Sequence, residues 1–177
     1  MIDTIRTERL TLRKAAERDL ELIWRRVWAD ERLARRMLWA PTLTRGDAEL
    51  RMARTIAYQA DHYAYFVCLT ETDEPIGFAG LREPGPGEVE ETGLCIAFDR
   101  QRRGYGKETL NALTALAFGR LGAGRFLASC FHENTASAAL IRSCGFVYTH
   151  SDEGLREHDG LRFRCDHYEK RSDSMIR

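Results

Sequence analysis

One stretch constrains the fold of this chain more than any other. Residues 91–107, ETGLCIAFDRQRRGYGK, place a glycine-bearing turn between a hydrophobic strand and a long helix. The first N–H groups of such a helix have no acceptor within it and point out of its end, where they attract anions. Gly104 and Gly106 let a phosphate approach the main chain closely, and Arg102, Arg103 and Lys107 surround it with positive charge. A diphosphate-bearing ligand is the natural guest of the turn 101–107, with a plain helix cap as the alternative. Two other phosphate motifs fail on spacing. A Walker loop needs glycine at Gln101 and Ser or Thr at Glu108, and a dinucleotide fingerprint needs glycine or alanine at Thr109.

The flanking pattern predicts an α+β fold around one mixed sheet. Residues 5–13 alternate as a first strand. Leu20, Ile23, Trp24, Val27 and Trp28 form the apolar stripe of a helix, opposite Glu17, Arg18, Glu21, Arg25 and Arg26. Pro41 ends a second short helical stretch, and Thr44 with Asp47 opens a helix over about 45–60. From Tyr63 the period becomes that of strands: 63–70 and 76–81 as a hairpin, a turn at 82–88, and a third strand at 92–98. A helix over 104–121 leads to a strand at 126–131, parallel to 92–98 through a crossover. A short helix at 137–143 and strands near 146–150 and 161–168 complete the order.

Length and charge set the limits. The chain has 177 residues, 44% of them hydrophobic, with 27 Lys+Arg against 27 Asp+Glu. That describes one folded domain, over 1–170, with 171–177 as a loose polar tail. Zero net charge argues against nucleic acid as a partner. No window is apolar enough for a membrane span, and charges at Asp3, Arg6, Glu8, Arg9 and Arg13 interrupt any leader-like run, so a cytoplasmic location is expected.

Five cysteines, none in a CxxC pair, read as reduced thiols. Cys130 with His132 and Cys165 with His167 repeat a CxH spacing. In adjacent strands this could make a Cys2His2 zinc site, or simply mark two half-buried strands. No metal is expected.

Gln101-Arg102-Arg103-Gly104-Tyr105-Gly106 resembles the acetyl-CoA pyrophosphate loop (Q/RxxGxG/A) of the GNAT superfamily of N-acetyltransferases. The segment 7–13, TERLTLR, is similar to the opening of the family's RimJ/RimL-like branch, and Glu91-Thr92-Gly93 to its "EIG" strand start. Asn134 to Ser137 with Cys144-Gly145-Phe146 is similar to its "NxxSxxxxxxxGF" segment. The resemblance spans residues 5 to about 148.

It implies a sheet splayed between two parallel strands, with acetyl-CoA as co-substrate in the gap. Main-chain groups of Leu94, Cys95 and Ile96 would hold its pantetheine arm, with Phe98 at the family's usual proline position. Transfer to an amine needs a base, a donor for the oxyanion and a proton for the leaving thiolate. Glu91 is the first candidate base, Glu90 the second, and His132 a further alternative. An N–H near Ile96 would serve the oxyanion, Ser137 the leaving sulfur, and Asn134 the pantetheine. The plain alternatives are an exposed strand carboxylate for Glu91, a small packing residue for Ser137 and a helix cap for Asn134. The tyrosine that many family members carry seven residues after this asparagine is replaced by Ile141.

The acceptor implied is a primary amine on a protein N-terminus or a small molecule. Trp39, Pro41, Tyr63 and Tyr65 are candidate pocket walls. Arg25, Arg26, Arg32, Arg35 and Arg36 form either a guide for acidic ligands or a solvated helix face. Two other functions stay open: a catalytically inactive acyl-CoA-binding module, and a nucleic-acid binder using the arginine run. A homodimer is compatible with either enzyme or module.

Overall fold

The computed structural model describes residues 2–172, and an eight-stranded sheet runs through them in the order β1-β2-β3-β4-β5-β6-β8-β7. In chain order the elements are β1 (Thr4–Arg6), β2 (Leu10–Arg13), α1 (Leu20–Ile23), α2 (Glu31–Ala34), α3 (Arg45–Asp61), β3 (Tyr63–Leu69), β4 (Pro75–Gly85), β5 (Glu88–Ile96), α4 (Tyr105–Ala115), β6 (Arg125–Phe131), α5 (Thr135–Ser143), β7 (Val147–Leu155) and β8 (Arg162–Arg171). A 3₁₀ turn precedes α1, and one π-turn each, Trp24–Trp28 and Leu116–Arg120, extends α1 and α4. All strand pairs are antiparallel except β5 with β6, which α4 connects.

Strand alternation sends side chains to two cores. Tyr65, Val67, Leu81 and Ile96 pack with Leu110, Leu113 and Ile141 of α4 and α5, while Phe66, Cys68 and Cys95 pack with Ile23, Val27, Trp28 and Met52 of the early helices. The stripe read at 20–28 therefore buries its face as expected. Thr44 caps α3 by accepting from the Asp47 N–H at 3.2 Å.

Several boundaries differ from the sequence reading. The first strand is two, because the Thr7 hydroxyl accepts from the Leu10 N–H and the Thr7 N–H donates to the Leu10 carbonyl, turning the chain into a hairpin. The expected turn at 82–88 is largely strand: β4 continues to Gly85 and β5 starts at Glu88, leaving a short connection. The third strand begins four residues before Thr92 and ends at Ile96, so Phe98 falls in a 3₁₀ turn. β8 runs to Arg171, and the Ser172 N–H donates to the Gly124 carbonyl, so the expected tail is anchored at its first two residues. Residues 173–177 of that expected tail lie outside the described residues. Among the described residues no helix is long and apolar enough to cross a membrane.

Candidate active site

The parallel pair that the sequence predicts is joined for only part of its length. Glu88, Val89 and Glu90 pair with Arg125, Phe126 and Leu127, and beyond them β5 and β6 separate. The cause is on the other edge of β5. Against β4 the register runs Gly80↔Gly93 but Leu81↔Glu91, so Thr92 is an extra residue, a bulge that bends the strand. Gly93 sits at φ +133°, a conformation that side-chain-bearing residues rarely adopt, and so permits the bulge.

The bend leaves one edge of β5 without a partner strand. The Ala97 N–H bonds across to Ile76 of β4 at 2.7 Å. By alternation Leu94 and Ile96 turn their N–H and C=O groups into the gap. There the Gln101 amide donates to the Ile96 carbonyl at 2.9 Å, tying the following loop to the strand end. Gln101 is thus a loop clamp.

The loop itself is open to solvent at Arg102, Arg103, Gly104 and Lys107. Gly104 takes φ +86° as the residue before α4. The first bond of the helix comes from the Glu108 N–H to the Gly104 carbonyl. The N–H groups just before it are left facing outward, as anion binding requires. Gly106 also has a packing job: a Cβ there would stand 3.2 Å from Leu140, so its smallness lets α4 lie close to α5.

A network the sequence reading did not combine holds this loop. The Glu108 carboxylate accepts from the Thr7 hydroxyl (2.6 Å), the Arg9 N–H (2.8 Å) and the Arg9 guanidinium (2.8 Å), and Arg9 also donates to the Arg103 carbonyl (2.9 Å). Burial would raise the Glu108 pKa, but these bonds outweigh it and hold the carboxyl below its ordinary value. The segment 7–13 is therefore the brace of the anion loop.

Three cavities run on from one another along the fork. One of about 470 Å³ is bordered by Ile96, Arg102, Tyr105, Lys107 and Asn134. It shares Leu94, Asn134 and Ser137 with a second, of about 660 Å³, lined by Glu90, Glu91, Ser129 and Phe131. That one shares Trp39, Tyr58 and Gly93 with a third, of about 430 Å³, against α3.

The candidate acid–base groups take distinct places. Glu91 stands at the bulge, half-buried on the wall of the second cavity, where its carboxylate accepts from the Gly93 N–H. Burial pushes its pKa up to about 7; the Gly93 bond opposes this and the nearby Glu90 charge adds to it. Glu90 is paired with Arg82. His132 lies off the cavity walls, its Nδ1 2.9 Å from Asp166. Asn134 caps α5, its side-chain oxygen accepting from the Ser137 N–H at 3.2 Å, and the residue borders the first two cavities. The Ser137 hydroxyl borders both cavities, and Ile141 is buried in the core. Cys95 and Ile96 are buried, and because Cys95 stands opposite Phe78 with its main chain turned to β4, Ile96 alone of the two offers main-chain groups to the gap.

The Cys2His2 grouping does not form. Cys130 stands opposite Asp166 and Ser129 opposite His167, so Cys130 and His132 share one face while Cys165 and His167 share the other. His167 instead stacks on His150 and meets Asp152 at 2.9 Å, and the ligand atoms of these three lie within 4.8 Å of one another. Most of the arginine run is paired: Arg25 with Glu21, Arg26 with Glu74, Arg32 with Asp30 and Arg35 with Glu31. That is a solvated helix face, and of the five only Arg32 and Arg36 border the cavities. Trp39 and Tyr65 do wall the third cavity, whereas Tyr63 packs on the main core.

Residues 9–147 match the family model described as acetyltransferase (GNAT) domain. A Bacillus licheniformis N-acetyltransferase designated p20 is 27% identical over 151 residues, covering 82% of this chain and 83% of its own. Among solved structures, a putative ribosomal-protein-serine acetyltransferase from Vibrio cholerae is 25% identical with a TM-score of 0.80, covering 96% of this chain and 97% of its own. RimL, a ribosomal alpha-N-protein acetyltransferase in complex with coenzyme A, shares the fold at 20% identity and a TM-score of 0.80, over 97% of this chain and 99% of its own. With its forked parallel pair, its anion loop before α4 and this match over most of its length, the chain belongs to the GNAT acetyltransferase family.

Proposed function

We propose that this protein transfers an acetyl group from acetyl-CoA to a primary amine by direct attack, with both substrates bound together. The observation that carries this reading is the fork: a row of outward N–H groups, an unpaired strand edge and an enclosed carboxylate follow one another along connected cavities. The unpaired donors fit the group, since buried main-chain donors without partners are costly and a ligand that satisfies them is favoured.

The main chain of 102–107 would hold the diphosphate, with Arg102, Arg103 and Lys107 adding charge. Leu94 and Ile96 main-chain groups and the Asn134 amide would hold the pantetheine. Acetyl-CoA supplies the acetyl group as an activated thioester. Glu91, directly or through one water, takes a proton from the acceptor's ammonium at its carboxylate oxygen, leaving the nitrogen lone pair free to attack. A pKa near 7 suits that task, because it leaves about half the carboxylate ionised at neutral pH while keeping it basic enough to work. The Ile96 N–H, turned into the gap, would donate to the oxygen on which negative charge develops as the C–N bond forms. As the C–S bond breaks, Ser137 donates its proton to the sulfur and is reprotonated through solvent by the second proton that the attacking nitrogen sheds, which leaves a neutral amide and free CoA.

A second reading draws on Ile141, a buried side chain without a hydroxyl where many family members carry tyrosine: a non-catalytic acyl-CoA-binding module. Both readings expect acetyl-CoA at 100 times its Kd to stabilise the fold by about 2.7 kcal/mol. The enzyme alone releases free CoA when peptides or polyamines are added, the peptide arm being suggested by the ribosomal-protein acetyltransferases among the structural neighbours. Stabilisation with no thiol released from any acceptor would select the module.

The brace makes its own prediction. Glu108→Gln keeps the shape but loses the charge that holds Arg9, and the loop loosens. Initial-rate kinetics should show KM for acetyl-CoA rising by about tenfold, with kcat little changed. An unaltered KM would mean that the brace does not shape the loop.

A further inference from the structure

The third cavity has a composition unlike the other two. Of the side chains that line it, two are arginines, Arg51 and Arg54, and none is acidic. Arg51, on α3, stands 4.8 Å from the Trp28 ring centroid and 4.6 Å from that of Trp39, and donates one hydrogen bond, to the Thr42 hydroxyl at 2.9 Å. Among the described residues no carboxylate lies within 4.0 Å of it, although most arginines of the neighbouring helices are paired. Trp39, on the same wall, has a buried indole N–H with no acceptor.

A guanidinium drawn out of water without a counter-charge is costly to the fold. Here the cost shows in its acidity, since burial pulls the Arg51 pKa down to about 10. Contacts over aromatic rings use the flat face of the guanidinium and leave its N–H edge for a partner. That edge matches a carboxylate or phosphate in two-point geometry. Because the cavity shares Trp39, Tyr58 and Gly93 with the one that Glu91 lines, a molecule whose amine reaches Glu91 can extend another group toward Arg51.

We infer that the third cavity is an acceptor subsite for an oxyanion, a carboxylate or phosphate carried on the same small molecule as the reacting amine, with Arg51 as the specificity-determining residue. The inference rests on the transfer reading for the amine but is tested without turnover. The aromatic walls, Trp28, Trp39, Tyr58 and Phe78, would pack the acceptor's carbon frame.

The experiment uses matched probes on the full chain saturated with CoA: β-alanine against β-alaninamide, glycylglycine against glycylglycinamide, and phosphoethanolamine against ethanolamine. Calorimetric titration should show tighter binding of the anionic member by about tenfold or more in at least one pair. The pair that responds separates carboxylate from phosphate. Arg51→Met should bring that ratio to about one, and Arg51→Lys should keep part of it, both with CoA affinity unchanged as the sign of an intact fold. A ratio near one in every pair of the wild type, including no binding by either member, would overturn the inference, as would a ratio that survives Arg51→Met or Arg51→Lys unchanged. Failure of the transfer reading looks different: the charge preference stays, but no member of any pair releases thiol from acetyl-CoA.

Discussion

Replacing Glu91 by Gln is expected to lower kcat by about 10³-fold while acetyl-CoA still binds, because it removes the group that accepts the ammonium proton and leaves the cavity shape intact. The pH profile sharpens the test. In the wild type, kcat should rise through about 7 as Glu91 ionises. In the variant that limb should be gone, leaving only the ionisation of the amine itself. A variant that keeps the limb would transfer the role of base to another group.

The same carboxyl affects stability, with a definite sign. Burial raises its pKa in the folded state from the ordinary 4.5 to about 7, against the Gly93 N–H bond, so between these values the folded protein holds a proton that the unfolded chain has released. Stability therefore falls as pH rises through that window, and above it the ionised carboxylate costs the fold on the order of 3 kcal/mol. Glu91→Gln removes that cost. Thermal melts should show the variant more stable than the wild type at pH 8 and nearly equal to it at pH 4.5. Parallel pH curves for the two proteins would contradict the enclosure of the carboxylate.

Gly93→Ala is the second large effect. At φ +133° a Cβ is strained whatever the space around it, and the substitution should cost about 1–3 kcal/mol. Relief comes by flattening the bulge at Thr92, which would let β5 follow β6 past Glu90 and narrow the fork. Acetyl-CoA affinity should then fall by about tenfold or more, measured by titration, together with the drop in Tm. Gly46→Ala is the control: nothing lies within 4 Å of its Cβ position and its φ is ordinary, so alanine in that exposed turn of α3 should leave affinity unchanged. Strain at Gly93 without any change in affinity would separate the bulge from ligand binding.

The sequence made local features legible and left non-local ones hidden. The cap Thr44–Asp47, the helix stripe through Ile23 and Val27, and the glycine turn before α4 are each written within a few residues, and each stands where it was expected. The parallel neighbour of β5 was also readable, from the order of strand, helix and strand. The bulge was not, because an extra residue shows only against the register of β4, fixed by Gly80 and Leu81 from another part of the chain. The same holds for Glu108, whose partners Thr7 and Arg9 lie about a hundred residues away, and for Arg51 beside Trp28 and Trp39. Glu91 was identifiable as a candidate base, but its raised pKa depends on enclosure that no local pattern records. The zinc grouping failed for a related reason: CxH puts two side chains on one face, and only the pairing of β6 with β8 decides whether two such faces coincide.

The account rests on main-chain donors of one bent strand and one helix start. Amide hydrogen exchange, followed by residue with and without CoA, tests this most directly. Binding should slow exchange at Leu94, Ile96 and across 102–107, while the outer strand β7 exchanges as before. Saturating CoA that leaves those amides unprotected, or protects a different edge of the sheet, would contradict it.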